Sequence, residues 1–89
     1  MRSVMVGYDL NKPAQNYAKL IERLKEFPNW WHYLDSTWIV RTAMSCAAIR
    51  DELSKLIDAN DELLVADLTG VAAWRGFNDT ASKWLMDNL

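Results

Sequence analysis

The sequence has little cysteine and no long apolar run. Cys46 is the single cysteine among 89 residues, which excludes an internal disulfide and fits a reducing compartment. No apolar stretch approaches the roughly 18 residues that mark a membrane-spanning helix, and the apolar N-terminal stretch is too short for a signal peptide. We therefore expect a cytoplasmic protein with no membrane association and no disulfide-bonded partner.

An excess of basic residues is also missing. Ten Lys and Arg stand against twelve Asp and Glu, which gives a formal net charge of −2. Dedicated nucleic-acid binders usually carry a basic excess or stripe, because neutralising phosphates supplies most of their affinity. The charge balance therefore argues against tight non-specific binding of DNA or RNA.

The motifs of several large enzyme classes are absent as well. The sequence contains no dinucleotide-binding glycine motif, no P-loop, no nucleophile elbow, no paired-cysteine motif and no HExxH. Nucleotide-dependent enzymes, serine hydrolases and zinc peptidases are therefore not indicated.

Aromatic residues, in contrast, are plentiful. The chain carries five Trp, three Tyr and two Phe, and each such ring can bury about 150–250 Å². A domain of this size has a thin core margin, so the aromatics are expected to fill the core and to leave some rings for an interface. We therefore expect the domain to dimerise.

Alternating and β-branched residues predict four strands. The first spans residues 2–9 and is rich in Val and Met. Residues 30–42 are aromatic and β-branched throughout, but Asp35-Ser36 in their middle is typical of a turn, so we expect two strands joined tightly or by a sharp bend. The last strand covers residues 63–68 and ends at Thr69-Gly70.

Apolar residues at helical spacing predict two helices between these strands and a third at the end. The first begins at Pro13 and stops at Pro28, and its apolar positions are Ala14, Tyr17, Leu20, Ile21, Leu24 and Phe27. The second is capped by Ser45 or Thr42, and its apolar stripe consists of Ile49, Leu53, Leu56 and Ile57. The third is short, covers residues 78–88 and is capped by Asn78 or Asp79.

The order strand, helix, two strands, helix, strand is the split βαβ pattern. It predicts an α+β fold, a ferredoxin-like βαββαβ sandwich, with a single domain over residues 1–89 whose core covers 1–70 and whose C-terminal extension covers 71–89. Two right-handed crossovers place both helices on one face of the sheet, so we expect the other face to be uncovered and available to a partner. Residues 71–77 either add an edge strand or wrap onto a second subunit.

Asp9 is the most suggestive residue for chemistry. It ends the first strand, where a side chain can project from the sheet into a cleft. A lone carboxylate is a poor magnesium site, because Mg²⁺ usually takes one or two carboxylates plus waters, but in a two-fold dimer Asp9 can meet its own copy. The alternative is a strand-end or helix-entry turn in which Asp9 accepts hydrogen bonds from nearby backbone amides.

Other polar and aromatic residues have simpler interpretations. His32 is the only histidine and lies among aromatics, which favours a structural or interfacial role over a zinc site. Cys46 begins the second helix, where a small apolar filler is favoured over a nucleophile. Trp30, Trp31, Trp38 and Trp74 could stack on bases beside Arg41, Arg50 and Arg75, but without a basic run we favour core and dimer interface.

Two segments carry a resemblance to a known family. Tyr8-Asp9-Leu10 resembles the Tyr-Asp-Ile/Leu signature that closes the first strand of Cas2-like proteins. Residues 30–38 resemble the stand-alone bacterial and phage members labelled SinR family, and Ser36-Thr37-Trp38 falls where Cas2 proteins show Ser-Val-Phe. The order of elements over residues 1–70 matches this Cas2-like superfamily.

The resemblance implies a ferredoxin-like homodimer. Some Cas2 proteins are metal-dependent nucleases whose strand-end Asp pairs across the dimer axis to hold Mg²⁺, which activates water for phosphodiester cleavage. By position that role falls on Asp9, with Tyr8 and Ser36 near the site. Cas2 also serves as a non-catalytic DNA-bridging scaffold, and the related VapD toxins are ribonucleases. The arginine-rich surface of a scaffold is missing here, so the resemblance points to a stand-alone relative.

Three hypotheses follow. The first is a Cas2-like homodimer with weak metal-dependent endonuclease activity on RNA or DNA, in which Asp9 is the catalytic and metal-binding residue. The second is a catalytically silent interaction module that keeps the same dimeric fold and binds a partner through its aromatics. The third is a single-strand nucleic-acid binder that uses residues 30–38.

Overall fold

The computed structural model describes residues 1–11 and 17–89. In chain order the elements are β1 (Arg2–Asp9), α1 (Ala18–Lys25), β2 (Asn29–Leu34), β3 (Thr37–Thr42), α2 (Cys46–Ser54), β4 (Glu62–Asp67) and α3 (Asp79–Asn88). The strands form one antiparallel sheet in the order β2-β3-β1-β4. The predicted α+β class and the four strands are confirmed, whereas the predicted helix start at Pro13 and Ala14 lies outside the described residues.

The aromatic segment forms two strands, as its turn residues predict. β2 and β3 are joined at Asp35-Ser36, and β3 then pairs with β1 in antiparallel register. The Tyr8 amide donates a hydrogen bond to the Ser36 carbonyl at 3.1 Å. The turn between β2 and β3 therefore lies at the same end of the sheet as the end of β1.

One face of the sheet packs against α1 and α2 and forms the larger core. Alternate residues of β1 and β3 point to this face and are fully buried, as are the apolar positions of the two helices: Val4, Val6, Trp38, Val40, Leu20, Leu24, Ile49 and Leu53. Full burial of each such side chain stabilises the fold by about 1.5–3 kcal/mol. Phe27, which follows α1, closes the same core.

The second helix is shorter than its apolar stripe predicts. Ser45 caps it, because its hydroxyl accepts a hydrogen bond from the Ala48 amide at 3.1 Å. The helix ends at Ser54, and the Leu56 amide donates to the Leu53 carbonyl at 2.9 Å, which tightens the last turn. The prediction that Leu56 and Ile57 are helical is therefore wrong, although both side chains still pack against the larger core.

The opposite face of the sheet carries α3, which corrects the expectation that this face is uncovered. Trp31 and Ile39 form a second core with Ala81 and Leu85 of α3. The Trp31 indole donates a hydrogen bond to the Ala81 carbonyl at 3.2 Å, and the Asn78 side chain caps the helix by accepting from the Ala81 amide at 2.9 Å. Two apolar residues on one face of α3 thus cover the β2–β3 half of the sheet.

Polar contacts join both ends of the chain to this second core. The Arg41 guanidinium donates to the Ser3 hydroxyl at 3.1 Å, to the Asn88 carbonyl at 3.3 Å and to the Met1 carbonyl at 2.9 Å. The Ser3 hydroxyl also donates to the Asn88 carbonyl. α3 is therefore held to β1 and β3 as well as to β2.

The connection between β4 and α3 forms no strand, so the edge strand, one of the two alternatives predicted for residues 71–77, is not formed. The segment crosses back over the chain's own sheet instead, and the Phe77 ring meets the Trp31 ring edge-on at 5.0 Å. In the described ranges, no helix combines the length and the apolar character that a membrane span requires.

Candidate binding surface on the open half of the sheet

α3 leaves the β1–β4 half of its sheet face open. We call this surface the open strip: Met5 and Gly7 of β1, Thr37 of β3 and Leu64 of β4. Gly7 lies directly opposite Thr37 on one side and Leu64 on the other. A hollow of about 350 Å³ is lined by the open strip together with Tyr8, Asp9, Glu62 and Leu63, and the Leu64 side chain is 60% exposed beside it.

Neither the backbone conformation of Gly7 nor its packing against the described residues requires a glycine at this position. The glycines with positive φ in the described residues are Gly70 and Gly76, so the backbone at Gly7 is one that any residue adopts. A Cβ placed on Gly7 would meet no atom within 4 Å. Glycine weakens a strand interior and often marks a close approach by another chain or a ligand. The bare backbone at Gly7 therefore offers space to a group from outside the monomer.

Asp9 lies at the end of the open strip with its side chain exposed. Its partner in the register is Glu62 at the start of β4, so two carboxylates stand opposite each other on neighbouring strands. Within residues 1–11 and 17–89, no hydrogen bond joins the Asp9 carboxylate to a backbone amide, and the helix-entry part of the predicted turn lies outside these residues.

The other two residues predicted near this site are Tyr8, which precedes Asp9 in β1, and Ser36, which contacts Tyr8. The Tyr8 amide bonds the Ser36 carbonyl, which brings the β2–β3 turn next to the end of β1. The Tyr8 hydroxyl, however, accepts a hydrogen bond from the Trp38 indole at 3.0 Å. Tyr8 therefore supports the larger core and is not positioned as a group that acts on a substrate.

The charges at this hollow are acidic. Asp9 and Glu62 are the charged residues that line it, so a phosphate group would meet two carboxylates there. In the described part of the chain, no three His, Cys, Asp or Glu side chains group together as metal ligands. Two carboxylates completed by waters or phosphate oxygens nevertheless fit the usual donor set of Mg²⁺.

The remaining candidates have mainly structural roles. The His32 ring stacks on Trp38 with centroids 3.9 Å apart, and its Nε2 lies 3.2 Å from the Asp35 carbonyl oxygen. Trp31 and Trp38 are buried, so Trp30 is the one partly exposed tryptophan between residues 30 and 38. Base stacking on that segment, as the third hypothesis requires, is therefore limited to Trp30 and its non-tryptophan neighbours.

Cys46 is the first residue of α2 and is half-buried. It lines a second hollow of about 230 Å³, which we call the α2-side hollow, on the other side of β4. That hollow is completed by Ala47, Arg50, Leu63, Leu64 and Val65. The sequence pattern does not predict that β4 lies between two hollows, although a glycine inside the β1 pattern is a signal for one of them.

Neither the family models, nor the curated proteins, nor the solved structures contain a match to this chain. The resemblance to the Cas2-like superfamily therefore stays a prediction that rests on the two short segments 8–10 and 30–38.

Proposed function

We propose that this chain is a protein-binding module that forms a homodimer through the open strip, on a ferredoxin-like scaffold. The scaffold is supported by the antiparallel strand order β2-β3-β1-β4 and by the packing of α1 and α2 on one face. Both features agree with a split βαβ arrangement. It keeps the dimeric interaction module of the second sequence-based hypothesis, but it places the contact on Gly7 and Leu64 and not on the aromatic residues.

The observation that carries this proposal is the pairing of Gly7 with Leu64. The two residues are register partners on one face, where Leu64 projects into solvent and Gly7 leaves a gap. A two-fold axis makes an interface self-complementary, so each Leu64 can fill the gap at Gly7 of the other copy. Full burial of a leucine side chain is worth about 1.5–3 kcal/mol.

Apolar neighbours enlarge the surface beyond this pair. Leu34 is 48% exposed and Trp74 is 37% exposed, and both line an apolar hollow that shares Met5 and Thr37 with the open strip. Contiguous exposed apolar surface on a small protein marks interaction sites. The surface is therefore continuous from β4 across β1 to the C-terminal segment.

Sedimentation equilibrium of matched variants tests the dimer. We expect Leu64→Asp to weaken self-association at least about tenfold, because a charge replaces the buried leucine. Met86→Asp is the control, since Met86 is 73% exposed on α3 and away from the strip. Gly7→Val is the second probe: its Cβ would meet no atom within 4 Å in the monomer, whereas its side chain would fill the gap that Leu64 of the other copy needs.

The proposal is supported if Leu64→Asp and Gly7→Val are monomeric and folded while Met86→Asp self-associates like the wild type. A monomeric wild type, or equal association of all four proteins, would refute it.

The first hypothesis remains as a second candidate function, and Asp9 favours it. The exposed Asp9 carboxylate stands opposite Glu62 and has no hydrogen-bond partner in residues 1–11 and 17–89, so it is available as a ligand. When bound there, Mg²⁺ supplies a polarised water for phosphodiester hydrolysis. In this candidate Asp9 and Glu62 hold the ion, and the homodimer brings a second pair.

Cleavage of labelled RNA and duplex DNA with Mg²⁺ or Mn²⁺ tests this candidate. The proteins are wild type, Asp9→Ala, and Asp35→Ala as an exposed carboxylate at the neighbouring turn. Loss of cleavage in Asp9→Ala alone supports the nuclease. No cleavage by the wild type, or equal cleavage by all three, eliminates it.

A further inference from the structure

Among the described residues, no strand pairs with the outer edge of β4. β4 bonds only β1 in the sheet, and the Leu68 amide donates to the Ser3 carbonyl at 3.0 Å. In an antiparallel pair, every second residue of a strand exchanges backbone hydrogen bonds with its neighbour. Because Leu68 bonds β1, the even-numbered residues of β4 are the ones that bond β1. The N–H and C=O groups of Leu63, Val65 and Asp67 therefore point away from the sheet, and no described residue pairs with them.

This edge lacks the usual protection. Native edge strands are generally interrupted by bulges, prolines or lysines, because an open edge is a template for another strand. β2, at the other edge, shows a register shift between Trp31 and Leu34. β4 reads Glu-Leu-Leu-Val-Ala-Asp and pairs with β1 without any shift. The open edge is thus regular over its six residues.

Space for side chains exists on both sides of β4. A strand added to an edge directs successive side chains to opposite faces, and pockets for alternate side chains give such complexes their specificity. The hollow of the open strip lies on one side of β4, and the α2-side hollow lies on the other. Successive side chains of an added strand would therefore point alternately toward the two hollows, each of which is partly apolar.

The charges decide which strand fits. Uncompensated acidic residues stand at the Glu62 end of the edge, where Asp9 lies beside Glu62, whereas Asp67 at the other end is paired with Arg2 at 2.6 Å. A second copy of β4 added in parallel register would set Glu62 against its own counterpart, which is unfavourable. Arg50 in the α2-side hollow is paired with Asp51 at 2.9 Å, so it does not offset them.

We infer that the β4 edge binds an extended segment of another protein, apolar at alternate positions and carrying lysine or arginine where it lies beside Glu62. The segment adds a fifth strand to the sheet. This interaction goes beyond the proposed dimer and does not require it, because a monomer presents the same edge. In the dimer the hollow of the open strip also receives Leu64 of the second copy, so the added strand and the dimer compete for that hollow.

Two labelled peptides test this inference by fluorescence anisotropy with the full chain. One is Lys-Val-Thr-Val-Thr-Val-Lys, and its twin carries glutamate in place of both lysines. We expect the lysine peptide to bind at least about tenfold more tightly than its twin. The Val65→Pro variant removes one outward N–H, which no ladder bond uses, and should weaken binding about tenfold. Val65→Thr keeps that N–H and is the matched control.

Reversal of one edge charge provides an independent measurement. Glu62→Lys should reduce or invert the preference for the lysine peptide, and it decides the question if Val65→Pro does not fold. Equal binding of both peptides, no binding of either, or full binding by Val65→Pro would overturn the inference. Sedimentation of the same samples reports the dimer separately, so failure of the edge interaction is distinguishable from failure of the open-strip dimer.

Discussion

The indole nitrogen of Trp38 lies 3.0 Å from the Tyr8 hydroxyl and donates a hydrogen bond to it. Trp38 is fully buried at the centre of the larger core, and the His32 ring stacks over it. The bond therefore satisfies a buried donor and ties the end of β1 to the middle of the sheet.

Tyr8→Phe should lower the free energy of unfolding by about 1–3 kcal/mol, because it leaves the Trp38 N–H without its partner. Urea unfolding followed by tryptophan fluorescence measures this difference. Tyr33→Phe is the control, since Tyr33 is exposed on β2 and its change should stay within about 0.5 kcal/mol. Equal stability of the two variants would contradict the role given to the Tyr8 hydroxyl.

Leu85→Ala should lower the free energy of unfolding by about 2–5 kcal/mol, because it opens a cavity between α3 and the sheet. Met86→Ala changes the exposed neighbour on the same helix and should have little effect. The measurement is thermal unfolding by circular dichroism. A small effect of Leu85→Ala would show that α3 contributes little to the stability of the fold.

Arg41→Ala should destabilise the protein by about 1–2 kcal/mol, since it removes three hydrogen bonds that join Ser3, Met1 and Asn88. Arg75→Ala removes an exposed arginine for which the described residues provide no partner, and it serves as the control. Chemical denaturation of both variants gives the comparison. If Arg75→Ala lowers the free energy of unfolding as much as Arg41→Ala does, the loss of a positive charge, and not the loss of the Arg41 contacts, is responsible.

Asn78→Ala should cost about 1 kcal/mol, because the Asn78 side chain caps α3. Thr80→Ala, two residues further at an exposed helical position, should change the stability by at most about 0.5 kcal/mol. Amide hydrogen exchange in α3 is the sensitive measurement, and it should accelerate only in the Asn78 variant. Unchanged exchange in the Asn78→Ala variant would mean that packing, and not the Asn78 cap, stabilises α3.

Much of this fold is predictable because its signals are local. The Asp35-Ser36 turn, the Ser45 cap and the first strand depend on neighbours within a few residues, and all three are where the sequence places them. The second helix ends earlier than predicted. Leu56 and Ile57 follow the helix and still pack against the larger core, so their apolar character does not require them to be helical. Burial alone therefore does not define helical length.

The position of α3 and the open strip are not local properties. Apolar residues in α3 show that one side of the helix is buried, but they do not say which surface covers it. Gly7 and Leu64 are 57 positions apart in number, and only the register of β1 with β4 makes them neighbours. Asp9 is predictable from its place at the end of a strand. The position of Glu62 opposite it is not, because only the register of β1 with β4 brings the two residues together.

The bond between Ser3 and Asn88 joins residues 85 positions apart, and this separation has a consequence for folding. Contacts between distant residues must overcome the entropy of closing a long loop, and in a growing chain Asn88 is made after the whole sheet. Trp31 and Ile39 therefore remain exposed until α3 docks. During synthesis, a chain that has not yet formed α3 therefore exposes the apolar sheet face around Trp31 and Ile39, which α3 covers in the complete fold.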